Sequence, residues 1–132
     1  MLLGFKRQFA VYVKAGSKTH TVRAPRKNRP KVGEICHCYT GLRQRGAELL
    51  GRFKCVRIDD ITIDLAGEGR LQHEGPLKVF INGELLDIGE TEAFFRRDGF
   101  RGEGLSGRQA LEFWKAREFP FHGDLIHWEF PV

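Results

Sequence analysis

The chain has 132 residues, 41% apolar and 30% charged, an ordinary composition for one globular domain. No apolar run approaches the roughly 18 residues of a membrane-spanning helix, so we expect no membrane partner. Residues 1–57 carry fourteen Lys and Arg against two acidic residues, and residues 58–132 carry eight against fifteen. A half of +12 beside a half of −7 predicts either a basic face that attracts a polyanion or a salt-bridged surface.

The first residues and the cysteine content predict the compartment. The opening MLLGFKRQFAVYV is interrupted by Lys6 and Arg7 and therefore lacks the apolar core of a secretory signal. The three cysteines are odd in number and fit a reducing compartment better than a disulfide framework. We expect a cytoplasmic protein with a single domain over 1–132.

The first half of the chain predicts one helix followed by strands. Residues 7–15 place Phe9 and Val13 on one side of a short helix that Gly16 ends. The alternation in 19–24 is typical of a strand. Two further strands are predicted, at 34–41 and at 48–65, the second being one long strand or a bent pair.

The second half predicts a hairpin, two helices and a final strand. Residues 77–88 form the hairpin, with Asn82-Gly83 as a type I′ turn. The helices are expected at 91–97 and from Ser106 to about 117 or 118, and the strand at 124–130. These elements predict an α+β fold, a small mixed β-barrel of about five to seven strands flanked by short helices.

A basic loop follows the strand at 19–24. Residues 25–30 are bounded by prolines, and such a loop can follow the phosphates of a nucleic acid or be a solvated loop. Tyr39 is a candidate to stack on a base, although strand tyrosines commonly only pack. The candidate ligand-binding residues are Arg23, Arg26, Lys27, Arg29, Lys31 and Tyr39.

The CHC sequence at 36–38 raises the question of a metal site. On a strand, Cys36 and Cys38 share one face and His37 points away, so the three cannot converge on one ion. Cys55 could join the two cysteines, but no fourth ligand is evident, and we expect buried thiols and no metal. The remaining histidines have no evident partner at catalytic spacing: His73, His122 and His127.

Three segments, AGSKTHTVR, KVGEICHCYTG and EAFFRRDGF, followed by a helix after GLSGRQ, resemble the ASCH domain family. That family is related to the PUA RNA-binding fold, and its recurrent elements include a G-x-K-T-x-T-x-R segment and a V-G-[DE] step into a strand. The resemblance covers about 9–65 and 90–130 and leaves about 66–89 as a variable insertion containing the β-hairpin.

The resemblance also implies a site. ASCH proteins that act as N4-acetylcytidine amidohydrolases use a Lys, a Thr and an acidic residue in a pocket, which correspond here to Lys18, Thr21 and Asp98. Arg23 completes the first motif. Asp98 stands where the hydrolase has Glu, and a displacement of about 1 Å can cost about 100-fold in rate. No cofactor is implied.

Other readings of these residues stay open. Lys18 after a helix and a glycine is typical of a solvated cation near a helix C-terminus, and Asp98 before Gly99 fits ordinary turn chemistry. Three functions therefore remain: an amidohydrolase, a non-catalytic RNA-binding module, or a single-strand ribonuclease with Lys18 as its base. The expected partner is a modified nucleoside or single-stranded RNA.

Overall fold

Seven strands and three helices make up the part of the chain that the structure, a computed structural model, describes: residues 1–42, 45–66, 77–101 and 106–129, without the side chains of 106–108. The strands are β1 (Leu2–Phe5), β2 (His20–Arg23), β3 (Ile35–Thr40), β4 (Glu48–Leu65), β5 (Leu77–Ile81), β6 (Glu84–Leu85) and β7 (Phe121–Trp128). The helices are α1 (Arg7–Ala15), α2 (Ile88–Arg97) and α3 (Ser106–Trp114). The fold is mixed α+β.

The long strand β4 connects the sheet. Its first half pairs antiparallel with β3, and its second half pairs antiparallel with β5 and with β7. The register with β7 shifts between Cys55 and Arg57, so one residue bulges out and the strand bends there. The bend lets one 18-residue strand contribute to both parts of the sheet.

The strands β1 and β2 lie at two ends of this sheet. β1 pairs parallel with β3, and β2 pairs antiparallel with β7. No backbone pairing joins β1 to β2 within the described ranges, so the described sheet is not closed into a barrel. A side chain bridges the two strands instead, because Arg23 Nη2 donates a hydrogen bond to the carbonyl oxygen of Gly4 at 2.7 Å.

Local sequence explains how the first two helices begin and end. Gly16 takes a left-handed conformation with φ of 82° and ends α1, as the sequence predicts. Asp87 and Glu90 form a reciprocal capping box at the start of α2, which therefore begins three residues before the predicted position. Buried aromatic rings pack these helices onto the sheet, among them Phe9, Phe94 and Phe95.

Most predicted elements are confirmed, with changes at their ends. The hairpin at 77–88 is present, and Asn82 and Gly83 both have positive φ angles, as a type I′ turn requires. Only part of the predicted insertion can be compared, since 67–76 lie outside the described residues. The structure adds β1, ends α3 at Trp114 and begins β7 at Phe121. In the described ranges, the helices are too short or too polar to cross a bilayer.

Candidate functional site

Lys18 is positioned by the end of α1. After Gly16 turns the chain, the backbone N–H groups of Ser17 and Lys18 both donate to the carbonyl of Tyr12 at 3.0 Å. These bonds hold Lys18 between the helix and β2. Its side chain is only 3% exposed, so Lys18 is not the solvated cation that its position after a helix also suggested.

Asp98 lies at the C-terminal end of α2. Its backbone N–H donates to Phe94 at 2.9 Å, and the following Gly99 has φ of 111°. A Cβ atom at Gly99 would lie 2.6 Å from a ring carbon of Phe9, so glycine is needed both for the conformation and for the space. This tight turn places the Asp98 carboxylate inside the protein, facing Lys18.

Lys18 and Asp98 form a buried ion pair across 80 positions of sequence. Lys18 Nζ lies 2.6 Å from Asp98 Oδ1 and donates a second bond, of 2.8 Å, to the Asp98 carbonyl oxygen. That carbonyl belongs to the negative end of the α2 dipole, which also favours a cation. The shorter Asp side chain therefore does reach the amine, although the resembled hydrolases have Glu at this position.

Burial and pairing act on this pair in opposite directions. Burial lowers the pKa of Lys18 from its ordinary value, against the opposing influence of the Asp98 carboxylate. Burial alone would raise the pKa of Asp98, but the charge of Lys18 and the neighbouring His20 outweigh it, and the pKa of Asp98 is lowered. The carboxylate is thus held charged, while the amine loses its proton more readily than a free lysine does.

His20 is a further member of this cluster. Its Nε2 atom lies 3.3 Å from Asp98 Oδ1, but the geometry is not that of a hydrogen bond, and this buried nitrogen has no other hydrogen-bond partner among the described residues. The ring stacks on Phe94 with 5.0 Å between centroids. It also meets the ring of His127, its cross-strand partner, edge to face at 5.8 Å.

Thr21 and Arg23 lie on β2 directly after His20. Arg23 Nε donates a 3.0 Å hydrogen bond to Thr21 Oγ1, so the two side chains share one face of the strand. Thr21 is 5% exposed. The guanidinium of Arg23 packs over the Phe5 ring at 4.8 Å, and burial together with the nearby Arg26 lowers its pKa to about 10.

These side chains meet at one cavity of about 190 Å³. It opens where β1 and β2 are not paired, and its polar lining includes Lys18, Thr21, Arg23 and Asp98, the four residues that the family resemblance singles out. The aromatic lining consists of Phe5, Phe9, Phe113 and Trp114, and Lys6 and Arg117 add two further cations.

The other predicted cations do not converge here. Arg29 lies 2.7 Å from Asp124 and 3.1 Å from Asp60, and these contacts direct it toward β4 and β7. Lys27 and Lys31 are exposed and do not line the cavity. Arg26 donates to the Leu2 carbonyl at 3.2 Å and lies beside the cavity mouth, near Arg23.

Tyr39 and the cysteines also lie outside the cavity lining. Tyr39 is half-buried on β3 and does not line the cavity, so it is not placed to stack on a base bound in that cavity. Cys36, Cys38 and Cys55 are free, buried thiols, and burial raises the pKa of Cys36 to about 11 and that of Cys38 to about 12. No metal-binding cluster occurs among the residues whose placement is described.

Sequence reasoning missed three contacts of histidines. His20 reaches Asp98 at 3.3 Å, and His127, for which no partner at catalytic spacing was evident in the sequence, has Nε2 3.0 Å from Asp59 Oδ2. His122 likewise bonds Thr62 at 2.9 Å, and His73 lies outside the described residues. The alternation in 19–24 places His20 opposite Thr21, but it gives no indication that α2 covers that face.

Comparison with known proteins does not assign the chain to a family or the site to a function. The chain matches no known family profile, no curated protein and no solved structure.

Proposed function

We propose that the protein is an amidohydrolase that removes the acetyl group from N4-acetylcytidine or a related modified nucleoside. The observation that carries this proposal is the meeting of Lys18, Thr21, Arg23 and Asp98 at one cavity. Its volume of about 190 Å³ is below the range of about 300–1,000 Å³ typical of drug-sized ligands, and it suits a single modified base.

The contacts of Thr21 support a role as nucleophile. Its oxygen accepts the hydrogen bond of Arg23, which stabilises negative charge as the hydroxyl loses its proton. In the proposed reaction the oxygen attacks the acetyl carbonyl, the C–N bond breaks, and the cytosine amine leaves with a proton. Water then hydrolyses the acetyl ester and releases acetate. An activated water that attacks directly gives the same products.

Lys18 is the proposed proton acceptor. A neutral amine has two N–H bonds and one lone pair, and the two contacts with Asp98 account for both N–H bonds. The lone pair is then available for the proton of the nucleophile, and burial favours this neutral form by lowering the pKa of Lys18. Asp98 is a positioning residue that holds the amine at the cavity.

We further infer that the sheet is an open form of the PUA-like barrel expected of an ASCH domain. The bond between Arg23 and the Gly4 carbonyl supports this, because it joins the strands that backbone pairing would have to connect to close the barrel. The ligand cavity would then occupy the gap between those strands.

A second candidate is a module that binds a base without turning it over. The 2.6 Å contact favours it, since a close carboxylate also stabilises the charged amine, which cannot accept a proton. The two candidates share one ligand site and differ only in chemistry.

Incubation with N4-acetylcytidine distinguishes them, with the absorbance change and acetate release as readouts. We expect turnover by the native protein and its loss in Thr21→Val and Lys18→Ala, with Thr62→Val and Lys14→Ala as matched controls elsewhere on the molecule. Circular dichroism establishes whether each variant is folded, and Thr21→Val decides the matter if Lys18→Ala is not. Binding without turnover would support the module, and degradation of labelled RNA would support a ribonuclease.

A further inference from the structure

A second, larger depression adjoins the cavity. It measures about 710 Å³ and lies between β1, the first turn of α1 and the chain after β2. We call it the β1 groove. It shares Gly4, Phe5, Lys6 and Arg23 with the lining of the cavity, so a ligand that fills the cavity extends directly into it.

Among the described residues, the charged lining of the β1 groove consists of cations and includes no carboxylate. Its charged lining residues are Lys6, Arg7, Arg23 and Arg26. Within the described ranges none of these four forms an ion pair, whereas Arg29, Arg57 and Lys14 each do. Among the described residues these four charges therefore have no ion-pair partner, unlike those of Arg29, Arg57 and Lys14.

Aromatic rings hold several of these cations in place. Lys6 Nζ lies 4.9 Å above the Phe113 ring, Arg23 lies over Phe5, and Arg117 at the cavity lies 5.0 Å from the Trp114 ring. A ring orients a cation but does not cancel its charge. Of these cations Arg23 is half-buried whereas Lys6 and Arg117 are exposed, and a half-buried charge without a counter-ion favours an anionic ligand.

The start of α1 adds to this potential. Its N-cap residue Lys6 makes no side-chain capping bond, and its first turn contains no acidic residue, although that end of a helix favours negative charge. The positive charge of the β1 groove comes mainly from its four cationic side chains, and the helix N-terminus adds to it.

We propose that the β1 groove binds the phosphate of a nucleotide whose base occupies the cavity. The preferred substrate is then a phosphate-bearing nucleotide, free or within single-stranded RNA, and not a free nucleoside. The placement of the base rests on the proposed function. Of the basic residues that the sequence predicted at 26–31, only Arg26 lines this groove. Lys6 and Arg7 also line it, and the sequence did not predict them as ligand-binding residues.

The test compares binding of cytidine, cytidine 5′-monophosphate and a short cytidine-containing oligonucleotide, each with and without the N4-acetyl group. We expect the monophosphate to bind at least about tenfold more tightly than the nucleoside, a ratio that reports a charge-assisted contact. Arg26→Gln and Arg7→Gln should each remove most of that advantage, measured as the ratio of the monophosphate affinity to the nucleoside affinity of the same variant. Arg52→Gln, an exposed charge on β4, is the matched control.

The salt dependence and the oligonucleotide measurements distinguish a free nucleotide from single-stranded RNA as the ligand that supplies the phosphate. Affinity for the oligonucleotide should fall with salt, and each groove variant should reduce the slope by about 0.7 if one phosphate contact is lost. Oligonucleotide binding no tighter than that of the monophosphate would restrict the ligand to a free nucleotide.

The outcomes separate this proposal from the amidohydrolase. Equal affinity for nucleoside and monophosphate, or equal weakening by Arg52→Gln and Arg26→Gln, would overturn the phosphate site even if acetate is released. A phosphate-dependent affinity with no acetate release would uphold the site and reject the hydrolase.

Discussion

Two buried aspartates lie on either side of the His20–His127 ring pair, and they differ in the partners that hold them. Asp98 and Asp59 are both 6% exposed, and each lies beside one of the two histidines. They differ in their cationic partners. Asp98 faces Lys18, which is buried, whereas Asp59 faces Arg57, whose side chain is 64% exposed.

The remaining contacts of Asp59 complete a stable arrangement. Asn82 donates to its Oδ1 at 2.9 Å from the hairpin turn, and His127 lies 3.0 Å from its Oδ2. Asp59 thus ties β4, β7 and the hairpin together and does not line the cavity. Asp98 instead holds a buried amine beside an open cavity. Two equally buried acids therefore have different surroundings, since the partner of Asp98 is buried and that of Asp59 is exposed.

The largest difference between the two aspartates is expected in the free energy of unfolding when each carboxylate is neutralised. At a pH where Lys18 is protonated, Asp98→Asn leaves its ammonium buried without a counter-ion, which should cost about 3–5 kcal/mol in the free energy of unfolding. Asp59→Asn lets Arg57 return to water and should cost only about 1–2 kcal/mol. Urea unfolding of both variants checks this order, with the exposed Asp60→Asn as control. Equal losses at 98 and 59 would contradict the comparison.

A second difference should appear in the response to acid. The pKa values of Asp98 and Asp59 are both lowered from 3.8, so each carboxylate stabilises the fold above that pH. This contribution is lost as the pH falls through the lowered values, because the unfolded chain then binds more protons. Added salt should weaken the stabilisation contributed by Asp59, whose partner is exposed, more than the stabilisation contributed by Asp98. Urea unfolding between pH 2 and 7, at low and high salt, measures both contributions in Asp98→Asn and Asp59→Asn.

Lys18 gives a change of the same sign, but at alkaline pH. Its pKa is lowered from 10.5, so between the lowered value and 10.5 the unfolded chain holds a proton that the folded chain has released. Stability contributed by this residue should therefore rise with pH in that window. Lys18→Met should remove the rise, and Lys14→Met, on the exposed face of α1, should not. A rise that persists in Lys18→Met would point to another group.

The smallest effect concerns the turn that supports Asp59. Asn82→Gly keeps a residue suited to φ of 52° but loses the bonds to Asp59 and to the Asp60 N–H, at an expected cost of about 1 kcal/mol. Asn82→Ala should cost about 1 kcal/mol more, because alanine is strained in the left-handed region. Thermal unfolding of the two variants measures the difference. Identical stabilities would mean that the turn relaxes.

The sequence predicted elements whose causes are local. Gly16 ends α1 and Asn82-Gly83 turns the hairpin because each acts through its own φ angle. The earlier start of α2 was also readable, since Asp87 and Glu90 have capping-box spacing. β1 was not, because its four residues become a strand only by pairing with β3, more than thirty positions away.

The candidate site divides in the same way. The resemblance selected Lys18, Thr21, Arg23 and Asp98, and these four line one cavity. No pattern in the sequence predicts the contact of His20 with Asp98 or that of His127 with Asp59. The first depends on the packing of α2 against β2, and the second depends on the register between β4 and β7. Charge patterning identified a basic region but not its geometry, since only the structure shows that Arg29 pairs with Asp124 and that Lys6 remains unpaired with any described carboxylate.

The three buried cysteines on β3 and β4 provide an internal reporter for these experiments. Alkylating reagents attack the thiolate, and burial together with pKa values of about 11 and 12 for Cys36 and Cys38 suppresses that form in the folded protein. Modification at neutral pH must therefore wait for β3 and β4 to separate. The rate of alkylation, followed by mass spectrometry without denaturant, then measures how often the sheet opens and ranks the variants by the same scale.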